Sequence, residues 1–381
     1  MAAATLRGGQ NIETQYPVVG IAPISRLRSQ NDVSSFDLPN VLECVRLIRR
    51  ILRIVGTGAL ALGLVLSAAW ANLAIAYQLP GSSALRIGIC LALNMIALAA
   101  LMGVVLRWAR RWLSVLIYVV ANAIFFAWSG SISASNDKNW ATDVAHGITG
   151  AVEGDRLSVS NVRNFSWRSE ADYTENWEQR TYDLSKLRSL DLFLGYWMGP
   201  SIAHTIMSFG FEDGRYLDFS IELRRTRNDQ YSAVAGFFKT HELIYIGADE
   251  RDLMTLRKVR NEQIELYRLR TPRERARALL VEYINQANDL AVQPRFYNTL
   301  ITNCTTAIFD MMRTVTSSIP FDWRIILTGH LPGHLYEHGA VDARISLEEL
   351  RQRAGVTSRI DAGLNEIEFS SRIREGVPAP R

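Results

Sequence analysis

The chain has 381 residues, with 42 Lys and Arg against 38 Asp and Glu, a formal net charge of +4. Charges of both signs alternate and no long basic block occurs, which argues against a nucleic-acid partner. Mean hydropathy is +0.01, yet the apolar residues are concentrated before residue 130, which argues against the alternative of buried helices in a soluble protein.

Residues 1–40 lack apolar periodicity and read as a disordered cytoplasmic tail. They hold no short apolar core with a small-residue cleavage site, so the first helix is expected to be an uncleaved anchor. No charge occurs from Ile54 to Ala84, from Ile87 to Leu106, or from Trp112 to Trp128. A spanning helix needs ~20 apolar residues. Transmembrane helices are therefore expected near 54–79, 87–106 and 112–129, forming a membrane domain over 41–129. Arg46, Arg49, Arg50 and Arg53 precede the first, and Arg107, Arg110 and Arg111 separate the second from the third. Positive charge stays cytoplasmic. The amino terminus is expected inside a bacterial inner membrane and everything after about residue 130 outside, in the periplasm.

A Ser/Asn-rich linker is expected over 130–150, a periplasmic domain over 151–360 and a tail over 361–381. Alternating patterns predict strands at 187–197, 201–211, 214–225, 241–250 and 262–270, with Asp213-Gly214 as a hairpin turn. Helices are expected at 271–290, 304–315 and 346–355. Thr271, Pro272 and Glu274 read as a capping box for the first of these, and Asn303 or Thr302 as the cap of the second. The fold class is α+β: an antiparallel sheet with packed helices, preceded by a three-helix transmembrane region.

Of the three cysteines, only Cys304 falls in the exported part, and it lies in the first turn of a predicted helix. There the helix dipole favours the thiolate, the nucleophile of cysteine hydrolases and acyltransferases. A base must accompany it, and histidine is the usual choice. His204 lies in a predicted strand. Glu222 lies on the polar face of the next strand, and both are equidistant from a turn centred near 213, so the hairpin would set them opposite each other. The competing readings are a packed strand histidine, and a surface carboxylate paired with Arg224 or Arg225. His330, His334 and His338 are spaced by four, but Pro332 and Gly333 interrupt the run and no HExxH pattern results. Neither a metal nor another cofactor is expected.

The order His, Glu, then Cys at a distant helix start resembles the circularly permuted branch of the papain-like superfamily, with its NlpC-type hydrolases and lecithin:retinol acyltransferase-like proteins. "TNCTTAIF" looks like the Asn-Cys helix start of the latter group. The stretch from about 160 to 335 is similar to the Lnb N-terminal periplasmic domain family. The pieces that carry the similarity include "NVRNFSWRSEADYTENWEQRTYDLSKLRSLDLFLGYWMGPSIAHTIMSF", "SIELRR", "ELIYIGADERD", "YNTLITNCTT" and "LPGHL". This resemblance implies an extracytoplasmic domain with Cys304 as nucleophile, His204 as base and Glu222 as the residue that orients it. Arg163 and Trp177 fall in a matching piece, either shaping a cleft or packing. Two functions follow. One is a periplasm-facing cysteine hydrolase or acyltransferase of the cell envelope, with peptidoglycan peptides or lipids as substrates. The other is a non-catalytic assembly or maturation factor that binds an envelope protein through the same cleft. The lipid bilayer is a partner in both.

Overall fold

The computed structural model describes residues 38–227, 229, 232, 234–316 and 321–380; the expected tail over residues 1–37 lies outside them. The chain divides into two compact units, 1–60 and 61–381. Of the first, the described part is the opening of one helix, α1 (Leu38–Gln78). The charge-free runs continue as the rest of α1, α2 (Ser83–Val105) and α3 (Arg111–Ser131). All three are long and apolar enough to cross a membrane. The candidate span in α1 has 37 residues, or about 55 Å at 1.5 Å per residue. That exceeds a hydrocarbon core of about 30 Å, so the arginine-bearing first turns extend beyond the expected 54–79. Polar side chains join the helices in the second unit. Asn72 Nδ2 donates to Asn94 Oδ1 at 2.7 Å, Ser67 Oγ lies 2.8 Å from Tyr118 Oη, and Ser129 Oγ donates to Gln78 Oε1 at 2.9 Å. In lipid, such bonds and small-residue packing hold helices together.

The five expected strands form, but the sheet is larger. β1 (Thr149–Glu153) and β2 (Arg156–Arg163) are followed by the small β3 (Ser166–Trp167) and β4 (Tyr173–Thr174) pair and by β5 (Trp177–Asp183). Then come β6 (Leu187–Tyr196), β7 (Ala203–Phe211), β8 (Tyr216–Arg224), β9 (Glu242–Ala248), helix α4 (Glu250–Val259) and β10 (Gln263–Arg268). The sheet order is β1-β2-β9-β8-β7-β6-β10, with β5 also paired to β2. Every pairing is antiparallel except a single parallel bridge between β2 and β9. Gly214 takes φ +85° in the β7–β8 turn, the left-handed conformation that glycine tolerates.

Helices cover both faces. α5 (Arg273–Val292) and α6 (Cys304–Val315) lie on one, where Leu279, Leu280 and Tyr283 are buried with Phe209, Leu217, Phe219 and Tyr245. On the other, α4 supplies Leu253 and Met254 against Phe193, Ile206, Ile244 and Ile246. Helices α7 (Leu331–Glu337), α8 (Leu347–Ala354) and α9 (Glu366–Ile373) follow.

Four expectations need correction. α5 starts one residue late: Pro272 is extended, at ψ 144°, and takes the cap position, so Thr271 does not cap it. The capping box occurs at α6, between Asn303 and Thr306. The segment 130–150 is more than a linker, because Trp140 is buried against the Arg224 guanidinium, 4.4 Å away, and Thr149 begins β1. The last residues are not a loose tail either. α9 buries Phe369 and Ile373 in the second core cluster.

Candidate active site

Side chains alternate along a strand. In β7, Ile206 faces the α4 layer, and Met207 and Phe209 face the α5–α6 layer. His204 therefore belongs to the α4 side, whereas Cys304 opens a helix on the opposite side. They meet because two strands part. β7 stays paired with β6 from Ala203 onward, but its ladder with β8 runs only from Ile206↔Ser220 to Gly210↔Tyr216. At the open end Thr205 Oγ1 lies 3.1 Å from Thr305 Oγ1 in α6. There the Cys304 sulfur comes beside the His204 ring and the Thr205 backbone, both of which favour its thiolate.

On its other side, the His204 ring meets β8. Nε2 lies 2.7 Å from Ser220 Oγ and 3.3 Å from Glu222 Oε1. Ser220 Oγ donates to Glu222 Oε1 at 2.6 Å, so its lone pairs are free to accept from Nε2–H. That fixes the tautomer and leaves Nδ1 for the thiol. The three residues selected from the sequence are thus brought together, as the hairpin register demands. Glu222 pairs with neither Arg224 nor Arg225; its partner is Arg257 of α4. Arg257 is 5 % exposed and also reaches Glu262 at 3.3 Å.

The electrostatics follow from these neighbours. Burial pushes the Glu222 carboxyl up, but the Arg257 guanidinium and His204 hold it well below the usual carboxylate range. Burial and Arg257 push His204 down, yet Glu222 and Cys304 outweigh them and raise it to about 9. Burial pushes the Cys304 thiol up, while the His204 charge and hydrogen bond, the Thr205 amide and the Thr305 hydroxyl bring it down to about 7. Near pH 8 the pair is therefore thiolate and imidazolium. At the helix start, Asn303 Oδ1 takes the amides of Thr305 and Thr306. The Cys304 amide is left outside this cap, in the first turn, where an oxyanion is stabilised.

A cavity of about 520 Å³ opens against His204 and Glu222 and is walled by Trp197 and Tyr297. Its charged lining includes Asp143, Arg225 and Arg260; Cys304 is not part of it. Of the two other residues singled out, Arg163 contributes to the cavity wall, whereas Trp177 packs. Arg163 is buried on Asp252 at 2.8 Å and Trp177 stacks edge-on against Phe165. Pro332 does not break α7 but occupies its first turn, where its missing N–H costs nothing. His330 lies before that helix, on Ser201, and His334 and His338 stack on each other at 4.3 Å. Among the described residues no three His, Cys, Asp or Glu side chains gather as a metal site.

Ser220 and Arg257 carry no sequence signal of their own. Ser220 is legible only as the same-face neighbour of Glu222, and Arg257 only once α4 is known. Ser220→Ala removes the shorter link to His204. The expected result is about fivefold slower alkylation of Cys304 at pH 7, equivalent to about 1 kcal/mol for one hydrogen bond. An unchanged rate would mean that Glu222 holds the ring directly.

No curated protein and no solved structure matches the chain. Residues 173–329 match the family model described as the Lnb N-terminal periplasmic domain, a segment that contains His204, Ser220, Glu222, Arg257 and Cys304. Three helices able to cross a membrane stand ahead of this matched segment, which is similar to the Lnb N-terminal periplasmic domain family.

Proposed function

We propose that the protein is a membrane-anchored cysteine hydrolase or acyltransferase that acts on an amide, ester or thioester of the cell envelope. The observation that carries this reading is one imidazole placed between a half-buried, arginine-paired carboxylate and a thiol at a helix start. The residue order resembles the permuted papain-like enzymes and supports the same roles. Cys304 is the nucleophile, His204 the acid and base, and Glu222 the residue that orients it.

The Cys304 thiolate attacks the carbonyl carbon, forming a C–S bond. Collapse of the tetrahedral intermediate breaks the bond to the leaving group, which takes the His204 proton. A thioester on Cys304 results. Water, or an acceptor amine or hydroxyl, then attacks that thioester while His204 removes its proton, and Cys304 departs as thiolate. Peptidoglycan peptides and lipid acyl groups are both within reach of a domain tethered this way.

The arginines in the first turns of α1 and around the α2–α3 turn favour an amino terminus in the cytoplasm and residues after about 130 in the periplasm. The membrane domain is taken as 41–129 and the periplasmic domain as beginning near 151.

The test is mass spectrometry of the full-length protein purified from producing cells. A hydroxylamine-labile acyl mass on Cys304, absent from Cys304→Ala, is expected. A Cys304→Ala variant that complements a deletion strain fully, with Cys304 found only as free thiol, would instead favour an envelope assembly factor that binds through the same cleft.

A further inference from the structure

The segment 234–240 lies on the membrane helices. Phe238 is buried, stacked on Tyr77 with ring centroids 5.6 Å apart and tilted against Trp70 at 5.7 Å. Trp70 is eight residues short of the end of α1, about 12 Å along the axis. Lys239 donates to the Ser129 carbonyl at 2.9 Å, near the end of α3, and stands 5.7 Å over the Phe296 ring. α3 has 21 residues, about 31 Å, which matches one hydrocarbon core. Ser129 therefore marks the outer edge of the bilayer, and Phe238 reaches inside it.

A tight turn adjoins this segment. Asn298 and Thr302 exchange backbone hydrogen bonds of 3.1 and 3.0 Å, and Asn298 Oδ1 accepts from the amides of Leu300 and Ile301. Its polar groups are well satisfied, yet its tip shows Leu300 at 52 % and Ile301 at 73 % exposure. Gly236 packs directly on Thr299 of this turn, which brings Val234 and Phe237, 46 % and 38 % exposed, beside the tip. Fully burying one such side chain is worth about 1.5–3 kcal/mol, and water returns none of it.

We propose that Leu300, Ile301, Val234 and Phe237 enter the outer leaflet of the same membrane, as a second, monotopic contact. A lipid leaflet is the occupant because the patch continues from the Trp70–Tyr77 zone of the membrane helices. It also carries Lys239 at its edge, the pattern of interfacial segments. Asn303 Nδ2 donates to the Thr299 carbonyl at 2.8 Å, and Asn303 also caps α6. The turn and Cys304 thus move together, and insertion fixes the height of Cys304 over the bilayer. The inference rests on α1 to α3 crossing a membrane and on no chemistry at Cys304.

The test uses full-length protein carrying Cys44→Ser, Cys90→Ala and Cys304→Ser, reconstituted in nanodiscs. A single Ile301→Cys, Leu300→Cys, Met95→Cys or Asp213→Cys is labelled with an environment-sensitive fluorophore. Met95 is 72 % exposed on α2, and Asp213 is in the β7–β8 turn, at the other end of those strands. Blue-shifted emission at 300 and 301, quenching by nitroxide-labelled lipid and loss of iodide quenching are expected, with Asp213 behaving oppositely. If 300 and 301 behave like 213 while 95 is quenched by lipid, the inference is overturned and the membrane spans stand. If 95 also escapes lipid quenching, the spans themselves fail and the inference with them.

Discussion

With Cys44→Ser and Cys90→Ala in place, Cys304 is expected to react with iodoacetamide at pH 6 about tenfold faster than an ordinary thiol. Two effects oppose each other here. Lowering the thiol from 9.0 to about 7 raises the thiolate fraction at pH 6 by about 100-fold. The same two units make the thiolate less nucleophilic by about tenfold, at a Brønsted slope of about 0.4–0.5. The population effect wins. His204→Asn removes the imidazolium and should return the rate to the ordinary value, with thermal unfolding run alongside to show an intact fold.

The pH dependence separates labelling from turnover. Alkylation needs only the thiolate, so its rate should rise through about pH 7 and then level. Acylation also needs the His204 proton for the leaving group. That proton is lost through about pH 9, so turnover should be bell-shaped between the two. A labelling curve with a single limb near 9 would remove the ion pair, and with it the case for a catalytic thiol.

Arg374→Met is expected to destabilise the periplasmic domain by about 3–5 kcal/mol, the cost of stripping one partner from a buried ion cluster. Arg374 bonds Asp191 at 2.9 Å and both oxygens of Glu250, and its guanidinium covers the Tyr216 ring. Asp191, Asp218 and Glu250 are all fully buried. Burial and the Glu250 charge already push the Asp218 carboxyl well above its ordinary range. The Arg374 charge opposes that rise, so without it Asp218 takes up a proton on folding still more readily, and the deficit should shrink as pH falls from 7 to 5. Urea unfolding in micelles, followed by tryptophan fluorescence, measures both. A loss under 1 kcal/mol at pH 7 would show that the carboxylates find other partners.

The pairing of His204 with Glu222 is readable in the sequence because a hairpin is a local object. Asp213-Gly214 fixes the turn, strand alternation fixes the faces, and counting outward does the rest. Cys304 is readable because a helix start has a composition. What escapes is what depends on distant partners. Glu250–Val259 carries a local helix signature, with Asp249 as cap, Glu250 and Asp252 in the first turn and Arg257 and Lys258 in the last, but no local pattern shows that Arg257 reaches Glu222 of β8. α9 is eight residues long and is held by Phe369, Ile373 and the Arg374 cluster, so its stability is tertiary. β1 and β5 hold few apolar residues, and in β2 the alternation of Leu157 and Val159 is broken by an irregularity before Val162.

The parting of β7 from β8 has a consequence for how the chain matures. His204 and Glu222 lie in a hairpin that is translated and exported first, while the cysteine follows some eighty residues later and belongs to the other layer. The thiol becomes acidic only when both layers have closed on the sheet and the helix start has entered the gap. Until then it is an ordinary, mostly protonated cysteine passing through an oxidising compartment. The domain arms its most vulnerable atom as one of the last acts of folding.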